Sequence, residues 1–194
     1  MKAIPLWIAV PITVVVALPF GLWLGAWSLP LWLAFVVWAE YFTLGAKPAA
    51  LKIMIPAFAT GVIGATFTLI VSLAFLNLLG DAHIVTPGDL AWFIGLFLAF
   101  IPVIYVMKFL PFTQGPGGLP FFNGISMGLA TFFVGIYTNY GGLTLPASSV
   151  LLPLITSIPA VLGGLLGAAL GWFNVAIMTP LRGSVESSTD PSAA

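Results

Sequence analysis

The chain contains no cysteine. A disulfide framework, a thiolate metal site and a cysteine nucleophile are therefore excluded. Histidine is almost missing as well: His83 is the only one, and no His/carboxylate cluster has the spacing of metal ligands. No Ser-His-Asp arrangement stands out, and no Gly-Lys-Ser/Thr phosphate loop occurs. No catalytic residue, metal or cofactor is expected, and the chain does not read as an enzyme. Charge is the scarcest commodity. Five Lys/Arg and five Asp/Glu make up 5% of 194 residues, against about 25% in a soluble domain. A nucleic-acid partner needs a basic patch, which five basic residues at net charge zero do not supply. A surface so poor in charge could not be wetted, which excludes a soluble domain. Disorder is excluded by a hydrophobic content of 61% and a mean hydropathy of +1.18. What is present is long apolar runs, and these predict an all-α polytopic membrane protein with the lipid bilayer as its main partner.

A membrane helix needs about 20 apolar residues. Six stretches qualify: 4–25, 27–44, 53–79, 90–109, 121–140 and 150–178, separated by short breaks rich in Gly, Pro and charge. They predict one transmembrane domain over 1–180, followed by a polar, Ser-rich tail at 181–194 that reads as disordered and cytoplasmic. The first run is long for a signal peptide and Leu24-Gly25-Ala26 is a poor cleavage site, so it is expected to stay as a span. The basic residues set the orientation. With both termini cytoplasmic, Lys2, Lys47, Lys52, Lys108 and Arg182 all fall inside, and Asp81, His83 and Asp89 fall outside.

Two stretches look alike. Residues 33–45 can be laid on 129–141, with Leu, Ala, Tyr and Gly coinciding, and a proline and a long Gly/Ala-rich helix follow in both. This predicts a 3+3 inverted repeat, with one unit over about 4–80 and the other over about 89–178. Three spans per unit invert the second unit and place a solute site near the midplane, between the units. Small residues recur at spacing four: Gly163, Gly167 and Gly171; Ala160, Gly164 and Ala168; Ala57, Gly61 and Ala65. Such stripes let helices approach closely, either within the chain or in a homo-oligomer.

Glu40 is the only acid inside a predicted span, in Trp38-Ala39-Glu40-Tyr41-Phe42. A carboxylate there is costly unless it faces a cavity or a partner. Three roles are open to it: a proton or cation site, a structural hydrogen-bonding group, or a residue at the membrane interface. Tyr41, Tyr137, Asn139 and Tyr140 stand at corresponding ends of the two units. They either belong to an aromatic belt or, with Trp38 and Glu40, line a pathway for a small polar solute. Asn123, Ser126 and Asn174 are other polar residues inside spans, and such residues usually bond across helices. The Gly/Pro-rich segment 111–120 reads as a turn, with anion binding by bare N–H groups as the sharper alternative.

The pattern Leu31-Trp32-Leu33-Ala34-Phe35-Val36-Val37-Trp38-Ala39-Glu40-Tyr41-Phe42, then Gly45, a short Lys-containing turn and a Gly/Ala-rich helix, resembles the YcdZ-like bacterial inner-membrane family. The segment 131–142 and the Leu152-Pro153 helix start continue that resemblance. It implies a multi-pass protein of a bacterial cytoplasmic membrane. It carries no activity to any position. Three functions are compatible with the residues: a channel or facilitator for a small polar solute of the urea, amide or short-carboxylate class; a proton-coupled secondary transporter using Glu40; and a non-transporting accessory subunit.

Overall fold

Proline and glycine cut the apolar chain into its elements. The computed structural model describes residues 4–178 and contains no strand among them. Helix α1 (Leu6–Leu22) follows Pro5, and α2 (Leu31–Thr43) follows Pro30, since the residue before a proline resists helical ψ. Helix α2 ends where Gly45 and Ala46 both take positive φ, 88° and 53°. Helix α3 (Pro48–Leu79) opens on Pro48, whose missing N–H costs nothing at a first helical position. Helix α4 (Asp89–Val106) runs into a tight turn at Met107–Phe109. Helix α5 (Gly118–Phe133) stops before Gly135 at φ 76°, and α6 (Leu152–Met178) closes the described chain. Lys2, Arg182 and the predicted tail 181–194 lie outside the described residues.

Three helical segments are long and apolar enough to cross a membrane: Pro48–Leu79, Asp89–Phe109 and Leu152–Met178. Helix α1 is apolar and nearly as long, at 17 residues. The second and fifth predicted spans are shorter helices than expected, 13 and 16 residues instead of 18 and 20. At 1.5 Å per residue they reach about 20 and 24 Å, short of a roughly 30 Å hydrocarbon core. Pro30 delays the first of them, and the turn at Gly135 truncates the second.

The two short helices lie on the two long ones, crosswise between halves of the chain. Helix α5 runs parallel along α3, with Gly61 against Gly124 and Ala65 against Gly128. Helix α2 runs parallel along α6, with Gly163 against Pro30 and Leu33, Gly167 against Ala34 and Val37, and Gly171 against Tyr41. The predicted packing glycines Gly61, Gly163, Gly167 and Gly171 all occupy such seams. Helix α4 returns antiparallel on α3, where Gly95 meets Ser72 and Gly64 meets Val103. Helix α1 buries Ala9, Thr13 and Ala17, again at spacing four, and packs on α6 through Thr13 and Ala17. Hydroxyls buried in these seams are satisfied by the carbonyl one turn back: Thr13 on Ala9, Thr66 on Val62, Thr68 on Gly64 and Ser72 on Thr68, at 2.8–2.9 Å.

This topology gathers charge at the ends. Lys47 and Lys52 stand at the start of α3, and α4 brings Lys108 back to that end. Asp81, His83 and Asp89 stand at the other end. There the Asp89 carboxylate accepts the backbone N–H groups of Ile84, Val85 and Thr86 at 2.7–2.9 Å, pinning the α3–α4 loop. Asp89→Ala is expected to speed amide hydrogen exchange at residues 84–86 about tenfold while α3 and α4 keep their protection. Unchanged exchange there would show that the loop is held by other means.

Candidate functional site

Glu40 sits in the last turn of α2, next to the reversal at Gly45 and Ala46, and is only 3% exposed. The α2 residues one position or one turn away, Val37 and Tyr41, are buried against α6 and the start of α3. The carboxyl of Glu40 instead meets α5. The side-chain amide of Asn123 donates to its Oε1. Its Oε2 is buried and has no hydrogen-bond partner among the described residues. The two partners are 83 positions apart in sequence. Helix α5 can present Asn123 because its neighbour Gly124 lies directly on Gly61, bringing the α5 backbone down onto α3.

Other buried polar groups do not join this pair. The Trp38 Nε1 and the Tyr41 hydroxyl are buried with no partner among the described residues. Trp38 faces α1 and α6, in a cluster with Ala17 and Leu170. Burial of the Tyr41 ring follows from its seat on Gly171. Asn174 on α6 donates to the Thr13 hydroxyl of α1 at 2.8 Å, and its Oδ1 has no partner among the described residues. Thr13→Val is expected to destabilise the fold by about 1 kcal/mol, since interhelical hydrogen bonds in membranes average about 0.6 and the amide would be orphaned. Thr13→Ser should restore the melting temperature in detergent. Equal loss in both variants would assign the effect to packing at this seam.

The remaining predicted pathway residues are elsewhere. Tyr137 and Asn139 follow the end of α5 instead of lying within it, because the helix stops at Phe133. Tyr137 is buried with Tyr140, Leu29 and Ile155, beside the start of α2. The Tyr140 hydroxyl donates to the Trp27 carbonyl at 3.1 Å, and its ring stands edge-on to that of Trp27. Asn139 is exposed. Trp32 and Glu40 are eight residues apart on α2, about 12 Å along its axis. The predicted residues thus fall into two groups, at opposite ends of the short helix.

Midway along α2, on the side facing α3 and α6, Val37, Met54, Phe58, Val161 and Gly164 border a crevice of about 10 Å³, room for about one water. At the Lys47 end, Leu44, Lys47, Ala50, Ile53 and Pro116 border a hollow of about 260 Å³. Leu44 is one turn beyond Glu40. Among the described residues no three His, Asp or Glu side chains come together as metal ligands. The chain matches no family model, no curated protein and no solved structure.

Proposed function

We propose that this chain is a multi-pass membrane carrier that moves a small polar solute together with a proton, and that Glu40 is the proton-carrying group. One observation carries the reading: a carboxylate buried between α2 and α5, with one oxygen on Asn123 and the other without a partner among the described residues. A fixed structural acid in lipid is expected to have both oxygens satisfied, because each missing hydrogen bond is expensive there. A carboxyl that trades a proton for a ligand needs the second oxygen free. The hollow one turn away offers an aqueous approach from the Lys47 end.

The architecture we propose is a six-pass inverted repeat with the Lys47 end and both termini on the cytoplasmic side. Its support begins with a sequence echo. Ile55-Pro56-Ala57, Gly61 and Gly64-Ala65 recur at the same spacing as Ile158-Pro159-Ala160, Gly164 and Gly167-Ala168. The helices follow suit: medium, short and long in each half, with each short helix lying parallel on the long helix of the other half. In this arrangement α2 and α5 cross near the midplane, where inverted-repeat transporters bind their solutes. A free-running channel is the second reading. It needs a continuous polar path, and the crevice among α2, α3 and α6 is bordered by apolar groups and holds about one water, which favours the gated carrier.

The test is uptake into proteoliposomes of urea, acetamide, formate, acetate and glycerol, with and without an imposed proton gradient. Gradient-dependent accumulation of any of these supports the carrier. Rapid swelling indifferent to the gradient supports the channel. A protein inert in both assays and co-purifying with a stable second chain is an accessory subunit, and the proposal is then wrong.

A further inference from the structure

The carboxyl of Glu40 and the carboxamide of Asn123 form a pair with unspent hydrogen-bonding capacity. One Asn123 N–H donates to Glu40 Oε1, and Glu40 Oε2 is buried without a partner among the described residues. Asn123 itself is half-buried, and its Oδ1 and second N–H make no hydrogen bond among the described residues. The pair is approached from the Lys47 end. Leu44, one turn beyond Glu40 on α2, and Pro116, just ahead of α5, both border the hollow of about 260 Å³. That hollow therefore opens between the end of α2 and the approach to α5, the two helices that carry the pair. Its volume lies just below the roughly 300–1,000 Å³ of pockets for drug-sized ligands, so it suits a solute of only a few heavy atoms.

Charge decides which of the small solutes the pair can hold. Neither α5, α6 nor the segment 111–117 contains an ionisable side chain. Helix α2 adds only the Tyr41 phenol to Glu40, and α3 contributes only Lys52, with Lys47 just before it. Both lysines are exposed, so water and salt screen them and neither charge accompanies a solute inward. A carboxylate solute would meet repulsion from an ionised Glu40, or stay an uncompensated buried charge beside a protonated one. A cation would match ionised Glu40 but would compete with the proton instead of travelling with it. A neutral solute on protonated Glu40 leaves the site uncharged. In that state Oε2 carries an O–H donor, next to the Oδ1 acceptor of Asn123. An amide or urea has the complement on neighbouring atoms, a carbonyl that accepts and an N–H that donates. We infer that the Glu40–Asn123 pair is the solute site and that its solute is a small neutral amide or urea, whose carbonyl accepts from Glu40 and whose N–H donates to Asn123 Oδ1. This rests on the carrier reading and adds to it the solute class and the group that recognises each end. Coupling follows from the same contacts, since an ionised Glu40 has no donor to offer the carbonyl.

Competition in the full-length chain reads both contacts. Labelled acetamide or urea is taken up into proteoliposomes under an inward proton gradient, with protein-free vesicles subtracted, and unlabelled analogues compete. N-Methylacetamide keeps the carbonyl and one N–H and should compete nearly as well as acetamide. N,N-Dimethylacetamide keeps only the carbonyl and should compete about fivefold to tenfold more weakly, the shift expected on losing one hydrogen bond. Asn123→Ala should raise the KM for acetamide by a similar factor and abolish the difference between the two methylated analogues. Equal competition by both in the wild type, or an undiminished difference in Asn123→Ala, overturns the inference. If Asn123→Ala fails to fold, the wild-type series alone decides. Gradient-driven uptake of acetate, glycerol or methylammonium in place of the amides would overturn the amide site and leave the carrier standing. Amide flux that shows the same discrimination but ignores the gradient would end the carrier reading and leave the amide site standing. A protein inert towards all of these overturns both.

Discussion

Glu40→Gln is expected to fold like the wild type and to lose gradient-driven uptake by at least about tenfold, while solute exchange across a membrane without a gradient continues. The amide oxygen of Gln can accept the same bond from Asn123 that Glu40 Oε1 accepts. The variant removes a buried acid that costs about 2.5–3.5 kcal/mol to place in a membrane helix when charged. Its melting temperature should therefore equal or exceed that of the wild type. What it loses is the proton. A carrier needs that proton only to couple transport to the gradient, so exchange survives and accumulation does not. Glu40→Ala separates structure from chemistry in the opposite sense: it orphans the Asn123 amide and should lower stability as well as uptake. Wild-type accumulation by Glu40→Gln would remove Glu40 from the coupling mechanism. Loss of both exchange and accumulation, with folding intact, would make Glu40 a binding group for the solute.

Glu40 was legible in the sequence because a lone acid in an apolar run has no ordinary explanation. Its partner was not. Asn123 was one of several polar residues inside predicted spans, and nothing local ties position 40 to position 123. That pairing comes from glycines, since Gly61 and Gly124 decide how close α5 comes to α3 and hence where Asn123 points. Laying 129–141 on 33–45 puts Tyr137 and Asn139 at the repeat-equivalent end to Tyr41, facing the opposite side under inversion, and supposes that the fifth span stays helical to Tyr140. Gly135 at positive φ ends it earlier, so Tyr137 and Asn139 follow the helix instead of lying in it. A better internal match was present in the Ile-Pro-Ala and Gly-Ala spacing of 55–65 and 158–168. It sits in long helices whose glycines are used differently. Gly61 receives the α5 backbone, while its counterpart Gly164 receives the Phe58 ring. The small-residue stripes revealed that helices pack closely, but which neighbour fills each stripe depends on the whole bundle.

Gly61→Val is expected to be strongly destabilising, costing about 3 kcal/mol or more. A Cβ at this position would lie 2.9 Å from the Gly124 Cα and 2.9 Å from the Ile125 nitrogen, and closer still to the Phe121 carbonyl oxygen. All three are backbone atoms of α5, so no rotamer change relieves the clash and the two helices must separate. Overpacking that side chains can absorb typically costs 1–3 kcal/mol. Separation costs more, because it also opens the contacts of Ala57, Ala65, Phe121 and Ile125 along the same seam. With about 2–4 °C per kcal/mol for a protein of this size, the melting temperature in detergent should fall by roughly 10 °C. Two comparisons isolate the cause. Gly118→Ala meets nothing nearer than 3.8 Å and should leave melting unchanged. Gly164→Ala meets the side chain of Phe58 first, a ring instead of backbone, and should cost an intermediate amount. The milder Gly61→Ala carries the argument into function. By lifting α5 it draws Asn123 away from Glu40, so it should lower gradient-driven uptake in any population that still folds. A melting temperature within about 2 °C of the wild type for Gly61→Val would mean that α3 and α5 do not meet backbone to backbone, and the placement of Asn123 against Glu40 would lose its physical basis.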